Sequence, residues 1–209
     1  TIDDLVGMSD VAVPSDYMGG SGTTRVTFVL LTGVVGSTDD KTADRGKVRS
    51  RLYKIDNTTS VSICGPTTSD LLASLAYHGT IDEGKAMVGV LGGAWDDVAQ
   101  APTPKACCAG LQVWRTPDIT ACCPSWKYSY KAPTGQLHAL LAFTTDGDKA
   151  YATTLGSGVD TYDESAFSVS LDNGLTWNQL SLIDTNIDRL GDVAVAPDCD
   201  TTYVASVNE

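Results

Sequence analysis

Six cysteines, two histidines and a surplus of carboxylates are the groups of this 209-residue chain whose types and spacing could do chemistry. Cys107-Cys108 and Cys122-Cys123 are doublets, while Cys64 and Cys199 stand alone. Zinc sites favour a short spacer between paired cysteines, because adjacent thiolates seldom point at one ion, so the pattern favours disulfides in an oxidising compartment. Acidic residues gather in short stretches: Asp146-Gly147-Asp148, Asp160 with Asp163 and Glu164, and Asp198 with Asp200. Clustered oxygens suit calcium, which makes Asp146, Asp148, Asp198 and Asp200 the weak ligand candidates. No stretch forms an EF-hand loop, and Asp-Gly is ordinary hairpin chemistry, so a turn is the simpler role; no firm metal set and no other cofactor follow. His78 and His138 fall in equivalent neighbourhoods of successive repeats, where packing or the lining of a channel explains them better than base catalysis. No Ser/His/Asp context and no phosphate-cradling glycine loop accompanies them.

The elements that must position these groups are legible in the octet Ser170-Leu171-Asp172-Asn173-Gly174-Leu175-Thr176-Trp177. A Ser-x-Asp-x-Gly-x-Thr-Trp spacing describes a tight turn between two strands. The Asp carboxylate can accept backbone N–H bonds within the turn, and Gly takes a positive φ closed to other residues. Thr opens the next strand, and Trp leaves the turn to bury a large apolar ring. Two degraded copies precede it. One runs from Lys54 to Val61 around Asp56 without gaps; the other runs from Thr116 through Asp118 to Ser125-Trp126, with residues 121–124 inserted. The three aspartates lie 62 and 54 residues apart, a period that marks a repeat architecture.

The repeat extends beyond the turn. Asp10-Val11-Ala12-Val13-Pro14 recurs as Asp192-Val193-Ala194-Val195-Ala196-Pro197, with relatives at Asp70 to Ala73 and His138 to Ala142. A second run follows each, at Arg25 to Leu31, Lys85 to Leu91, Lys149 to Leu155 and Thr201 to Val207. A third leads into each aspartate turn, at Arg51 to Ile55, Leu111 to Arg115 and Ala166 to Leu171. A fourth leaves it, at Ser60 to Cys64, Trp126 to Tyr130 and Thr176 to Leu182. Four short strands per unit, joined by turn residues, predict four-stranded antiparallel sheets, and radial repetition of such sheets is a β-propeller. The expected fold is all-β, with three complete blades at about 5–64, 66–131 and 134–183 and half of a fourth at about 187–207.

The octet resembles the Asp-box, or BNR repeat, at every defining position. That repeat occurs in sialidases, other glycan-cleaving hydrolases, sortilin-type receptors and microbial surface proteins, including those that form S-layers. The resemblance implies that the box sits in an outer turn and serves the blade. Ser170, Asp172, Gly174, Thr176 and Trp177, with Asp118, Trp126 and Asp56, are therefore structural residues, and no catalytic residue is assigned. A sialidase-like site would require three arginines for the substrate carboxylate, a Tyr nucleophile backed by Glu, and an acidic acid/base. The chain has six arginines, but Arg45, Arg49 and Arg51 fall together, no Arg-Ile-Pro segment occurs, and the glutamates are only Glu83, Glu164 and Glu209. Paired aspartates could still cleave glycosides, since their separation is invisible in sequence.

Composition points outside the cell. A net charge of −12 argues against nucleic-acid backbones as partners. Only Lys41 to Arg51 is locally basic, and it is expected in a long solvated loop or against an acidic neighbour. No run is long and apolar enough for a membrane-spanning helix. Asn57-Thr58-Thr59 matches a glycosylation sequon within a turn. Three and a half blades would not close a ring, so the chain is expected to be part of a longer secreted polypeptide, or to borrow strands from copies of itself. In an up-and-down blade, Cys64 should share a face with Cys107 and Cys108, while Cys122, Cys123 and Cys199 occupy the other. Strand 111–117 spans roughly 20 Å, too far for a direct bond between the doublets unless the 92–110 loop folds back.

The function expected from these features is a non-enzymatic, secreted or cell-surface module with a structural, assembly or binding role. Its partners would be proteins, copies of itself or glycans, with calcium as the admissible ion. The alternatives are a carbohydrate-active hydrolase whose catalytic residues lie mostly elsewhere, and a sortilin-like peptide-binding receptor.

Overall fold

Short runs alternating apolar and polar side chains, broken by Gly, Pro, Asp and Asn, form strands because one face can be buried while the backbone pairs sideways. In the computed structural model, residues 9–19, 25–34, 48–66, 71–91, 94–96, 101–103, 111–135, 138–155, 165–183 and 189–207 are described. They are all-β, with no helix among them. The first sheet comprises β1 (Ser9–Ala12), β2 (Val26–Val34), β3 (Val48–Asp56) and β4 (Thr59–Ile63), in that spatial order. Next come β5 (Leu71–Gly79) and β6 (Gly84–Leu91), then a small separate hairpin of β7 (Ala94–Asp96) and β8 (Ala101–Thr103). The second sheet is completed by β9 (Val113–Thr116) and β10 (Lys127–Tyr128), in the order β10-β9-β6-β5. The third holds β11 (Ala139–Phe143), β12 (Ala150–Thr154), β13 (Ser165–Ser170) and β14 (Asn178–Ile183), and the last pairs β15 (Arg189–Val195) with β16 (Thr202–Val207). Neighbouring strands are antiparallel throughout these sheets.

The sheets pack face to face through the period-two alternation. On β2, Val26, Phe28 and Leu30 are buried and face the second sheet, whose β6 answers with Ala86, Val88 and Val90. The alternate β6 residue Met87 joins Val113 and Ala76 in a second core cluster with Ala139, Leu141, Ala150 and Ala152 of the third sheet. The second sheet is therefore buried on both faces. Small residues let the third sheet approach closely, and a Cβ at Gly89 would collide with the carbonyl oxygen of Ala139. The first strands lie beside one another in succession, β1 against β5, β5 against β11 and β11 against β15, so the sheets fan out from a common line in an open arrangement.

Polar ties fix that line. Asp10 Oδ2 accepts from Leu75 N at 2.7 Å, joining β1 to β5, and Ser74 Oγ donates to Ala139 O at 2.6 Å, joining β5 to β11. Thr32 Oγ1 donates to Leu72 O at 2.7 Å, while Leu72 N donates to Ser50 Oγ at 2.7 Å. Burial pushes the Asp10 carboxyl up, the N–H bonds from Leu75 and Val11 pull it down, and the charge of Asp192 on the equivalent strand adds to the rise.

Several expectations change. The first strand of the second sheet extends to Gly79 instead of ending near Ala73, and its fourth strand shrinks to two residues. Arg49 and Arg51 belong to β3 and not to a loop, because β3 stays paired with the long β2 back to Val48 opposite Val34. The histidines are not equivalent: His78 is at the end of β5, whereas His138 immediately precedes β11.

Candidate functional site

Ser170 ends β13, and the four residues after it cannot continue the strand because Asn173 and Gly174 take positive φ values of 56° and 76°. A side chain at Gly174 would also press on Met87 Sδ, 2.5 Å from the position of its Cβ. The Asp172 carboxylate fills the resulting turn. Its Oδ1 accepts from Thr176 N at 2.8 Å and from the Ser170 hydroxyl at 2.8 Å, and its Oδ2 accepts from the Thr176 hydroxyl at 2.5 Å. Ser170 Oγ in turn accepts from Gly174 N at 2.8 Å. Partial burial raises the Asp172 carboxyl, but the bonds from Thr176, Ser170 and Leu175 outweigh it and hold the group below its ordinary value. With both oxygens engaged inside the turn, Asp172 is a structural anion and a poor candidate for a general base.

The turn also docks on the preceding sheet. Trp177 is 1% exposed, and its indole N–H donates to Ser129 Oγ at 3.2 Å, just past the end of β10. Ser129 Oγ donates to Gly174 O at 2.6 Å, and Trp177 N donates to Lys131 O at 3.1 Å. Lys85 of β6 donates to Gly147 O at 2.7 Å and to the Asn173 side-chain oxygen, with its ammonium 5.3 Å from the Phe143 ring centroid.

The degraded copies keep this docking in different measure. Around Asp118, Thr116 occupies the place of Ser170, and the carboxylate accepts from Thr120 N at 2.8 Å and Thr120 Oγ1 at 2.6 Å. Trp126 then repeats the act of Trp177: its indole N–H donates 2.8 Å to Cys64 O, just past the end of β4. At Asp56 only a two-residue turn remains, with Asn57 at a φ of 53° and its side-chain amide bonded to the Asp56 carboxylate at 3.1 Å.

The remaining acidic candidates serve turns. Asp146 Oδ1 accepts from Thr144 Oγ1 at 2.6 Å and Asp148 N at 3.0 Å, and Asp198 accepts from Asp200 N and Thr201 N at 3.0 Å each. Hydrogen bonding, from the Thr144 hydroxyl first in one case and Thr201 N first in the other, holds both carboxyls below the ordinary value. Among the described residues, no three His, Cys, Asp or Glu side chains gather as a metal site. Asp160, Asp163 and Glu164 lie outside the described residues. His78 packs its ring 6.0 Å from that of Phe143 and bonds Thr145 O through Nε2 at 3.0 Å, a contact between adjacent sheets.

The expected division of cysteines between two faces does not hold. The 117–126 connection runs beside β4, and the Cys123 thiol lies near the Cys64 thiol. The insertion at 121–124 supplies the length for this detour, which a minimal turn would not have. Cys199 sits in the β15–β16 turn, where its thiol donates to Pro197 O at 3.8 Å. Cys64, Cys122, Cys123 and Cys199 are all outside any disulfide, while Cys107 and Cys108 lie outside the described residues.

Between β4 and residues 119–122 opens a cleft of about 650 Å³, with Lys54, Asp56, Thr59, Ser62 and Thr120 among its polar lining. Among the described residues that line it, Asp56 is the one carboxylate. Of the arginines, Arg49 and Arg51 belong to the first sheet, Arg115 to the second and Arg189 to the last; Arg25 immediately precedes β2, and Arg45 lies outside the described residues. The docking roles of Lys85 and Ser129 were not foreseen from sequence. A signal existed for Lys85, since Arg25, Lys85 and Lys149 all introduce the second run of their repeat. No helix of the described residues is long and apolar enough to cross a membrane. No protein-family model matches the chain, and a search of curated proteins finds no match.

Proposed function

We propose that this chain is a section of an Asp-box β-propeller, with the octet 170–177 as its box, acting as a non-enzymatic secreted or cell-surface module in assembly or binding. The observation that carries it is the complete engagement of the Asp172 carboxylate within its own turn, while Trp177 ties that turn to the preceding sheet. Trp126 makes the equivalent tie one repeat earlier, which supports a radial series of blades. A residue recruited for catalysis would keep an oxygen open to substrate; these residues hold sheets together. The charge of −12 and six cysteines support an oxidising exterior as the setting. Antiparallel alternation puts the β1–β2, β3–β4, β5–β6, β11–β12 and β13–β14 turns at one end of the sheets, with Asp16, Asp56, Asp82, Asp146 and Asp172 among them. Such an acidic end repels its own copies unless cations intervene, so assembly should depend on divalent ions.

The test is to follow particle size by light scattering and electron microscopy with calcium and with chelator, alongside hydrolysis of sialosides and β-glucans. The expected result is calcium-dependent ordered association without hydrolysis. A calcium-indifferent monomer that cleaves either glycan would overturn the proposal in favour of a hydrolase.

A further inference from the structure

The insertion at 121–124 departs from the repeat, and the connection containing it makes a contact that the shorter turns do not. Ile119 anchors one end: it is fully buried, and its N–H donates to Gly84 O at 3.0 Å. Trp126 anchors the other through its 2.8 Å bond to Cys64 O. Between these anchors, residues 119–122 face Thr59, Val61, Ser62 and Ile63 across the cleft beside β4. β4 is the outer strand of the first sheet, and its residues from Thr59 to Ser62 are exposed. Cys122 lines the cleft, whereas Cys123 lies near the Cys64 thiol, so adjacent members of the doublet have different surroundings. Both Cys64 and Cys123 are exposed and open to a soluble oxidant.

We propose that Cys64 and Cys123 form a disulfide that fastens the 117–126 connection of the second sheet to the outer strand of the first, leaving Cys122 outside the bond. The bond of Trp126 to Cys64 O, the anchor at Ile119 and the cleft that Ile63 and Cys122 line together bring the doublet to Cys64, and the nearness of the Cys123 thiol to that of Cys64 selects the member. The oxidant is a small-molecule disulfide such as oxidised glutathione. One cysteine thiolate attacks a sulfur of that disulfide, forming a mixed disulfide and displacing one small thiolate. The second cysteine thiolate attacks the protein sulfur of the mixed bond and displaces the other. Two protein thiols are thereby oxidised, one small disulfide is reduced to two thiols, and the two protons pass to the released thiolates. Joining residues 59 positions apart removes much conformational freedom from the unfolded chain and covers a strand edge that would otherwise be open to foreign pairing. The cross-link stands whether or not the chain is an Asp-box module.

The full chain is equilibrated in glutathione redox buffer, its remaining thiols are alkylated, and unreduced peptides are mapped by mass spectrometry. Cys64 is expected linked to the peptide containing Cys122 and Cys123. Because those two residues are adjacent, single variants distinguish them: Cys122→Ser should form the link at the rate of the parent, and Cys123→Ser at least about tenfold more slowly. Circular dichroism checks that both variants fold. Reduction should lower the melting temperature of Cys122→Ser by about 5–15 °C, and by much less when Cys64→Ser is added. An alkylated Cys64 in the oxidised chain, a Cys64 link to Cys107 or Cys108, or equal rates in the two single variants would overturn the proposal.

Discussion

Asp172 concentrates the physics of the repeat in one side chain. Two hydroxyls and a backbone N–H converge on its carboxylate, and replacing it with alanine leaves donors without partners. Asp172→Ala should lower stability by about 1–3 kcal/mol at neutral pH, as read from denaturant unfolding. The effect should depend on pH in a defined direction. Hydrogen bonding holds the folded carboxyl below the ordinary 3.8 despite partial burial, so its stabilisation is complete above 3.8. It is lost as pH falls through the lower folded value, where the native carboxyl takes up its proton. The gap between parent and variant should therefore close on acidification below 3.8, and a gap that widened would refute the assignment. Asp10 has the opposite sign. Its folded carboxyl is raised by burial, so it opposes folding increasingly as pH rises from 3.8 through that raised value.

At the scale of elements, the tryptophan ties decide how one sheet is set against the next. Trp177 is buried and closes the core between the second and third sheets, whereas Trp126 is only partly buried against the core between the first and second. Trp177→Ala should cost about 3–5 kcal/mol, and Trp126→Ala less, because less apolar surface returns to water. The hydrogen bond itself can be isolated with a double-mutant cycle of Trp177→Phe and Ser129→Ala. A coupling energy of about 1 kcal/mol is expected, and additive effects would show that the indole N–H contributes nothing to the docking.

Across the whole molecule, the last sheet differs from the other three. β16 is the second strand of its unit, yet Tyr203 and Val204 are 64% and 37% exposed, whereas Val26, Phe28 and Leu30 on β2 are nearly inaccessible. Among the described residues, β16 pairs only with β15 and has no third strand beyond it. Amide hydrogen exchange should therefore be fastest in β16 and slowest in β6 and β12, which are paired on both sides. Association of the chain should slow exchange in β16 selectively if that open edge is where strands are added. Protection of β16 equal to that of β6 in the isolated chain would contradict this view of the edge.

The sequence by itself determined the local grammar. The spacing of Ser170, Asp172, Gly174 and Thr176 dictates a turn, because the carboxylate and the hydroxyls that close it lie within seven residues of one another. The four-run repeat likewise announced antiparallel sheets, since alternation and turn residues act between chain neighbours. The tertiary structure decided what depends on approach between distant segments. That Trp126 would bond the carbonyl of Cys64, that Lys85 would reach Asn173, and that Cys123 would lie near Cys64 required the angle between sheets and the path of a connection. The topological rule that separated Cys64 from Cys123 failed because four inserted residues gave that connection enough length to reach the outer strand of its neighbour. Periodicity reports which face of a strand is buried; only packing determines what that face meets.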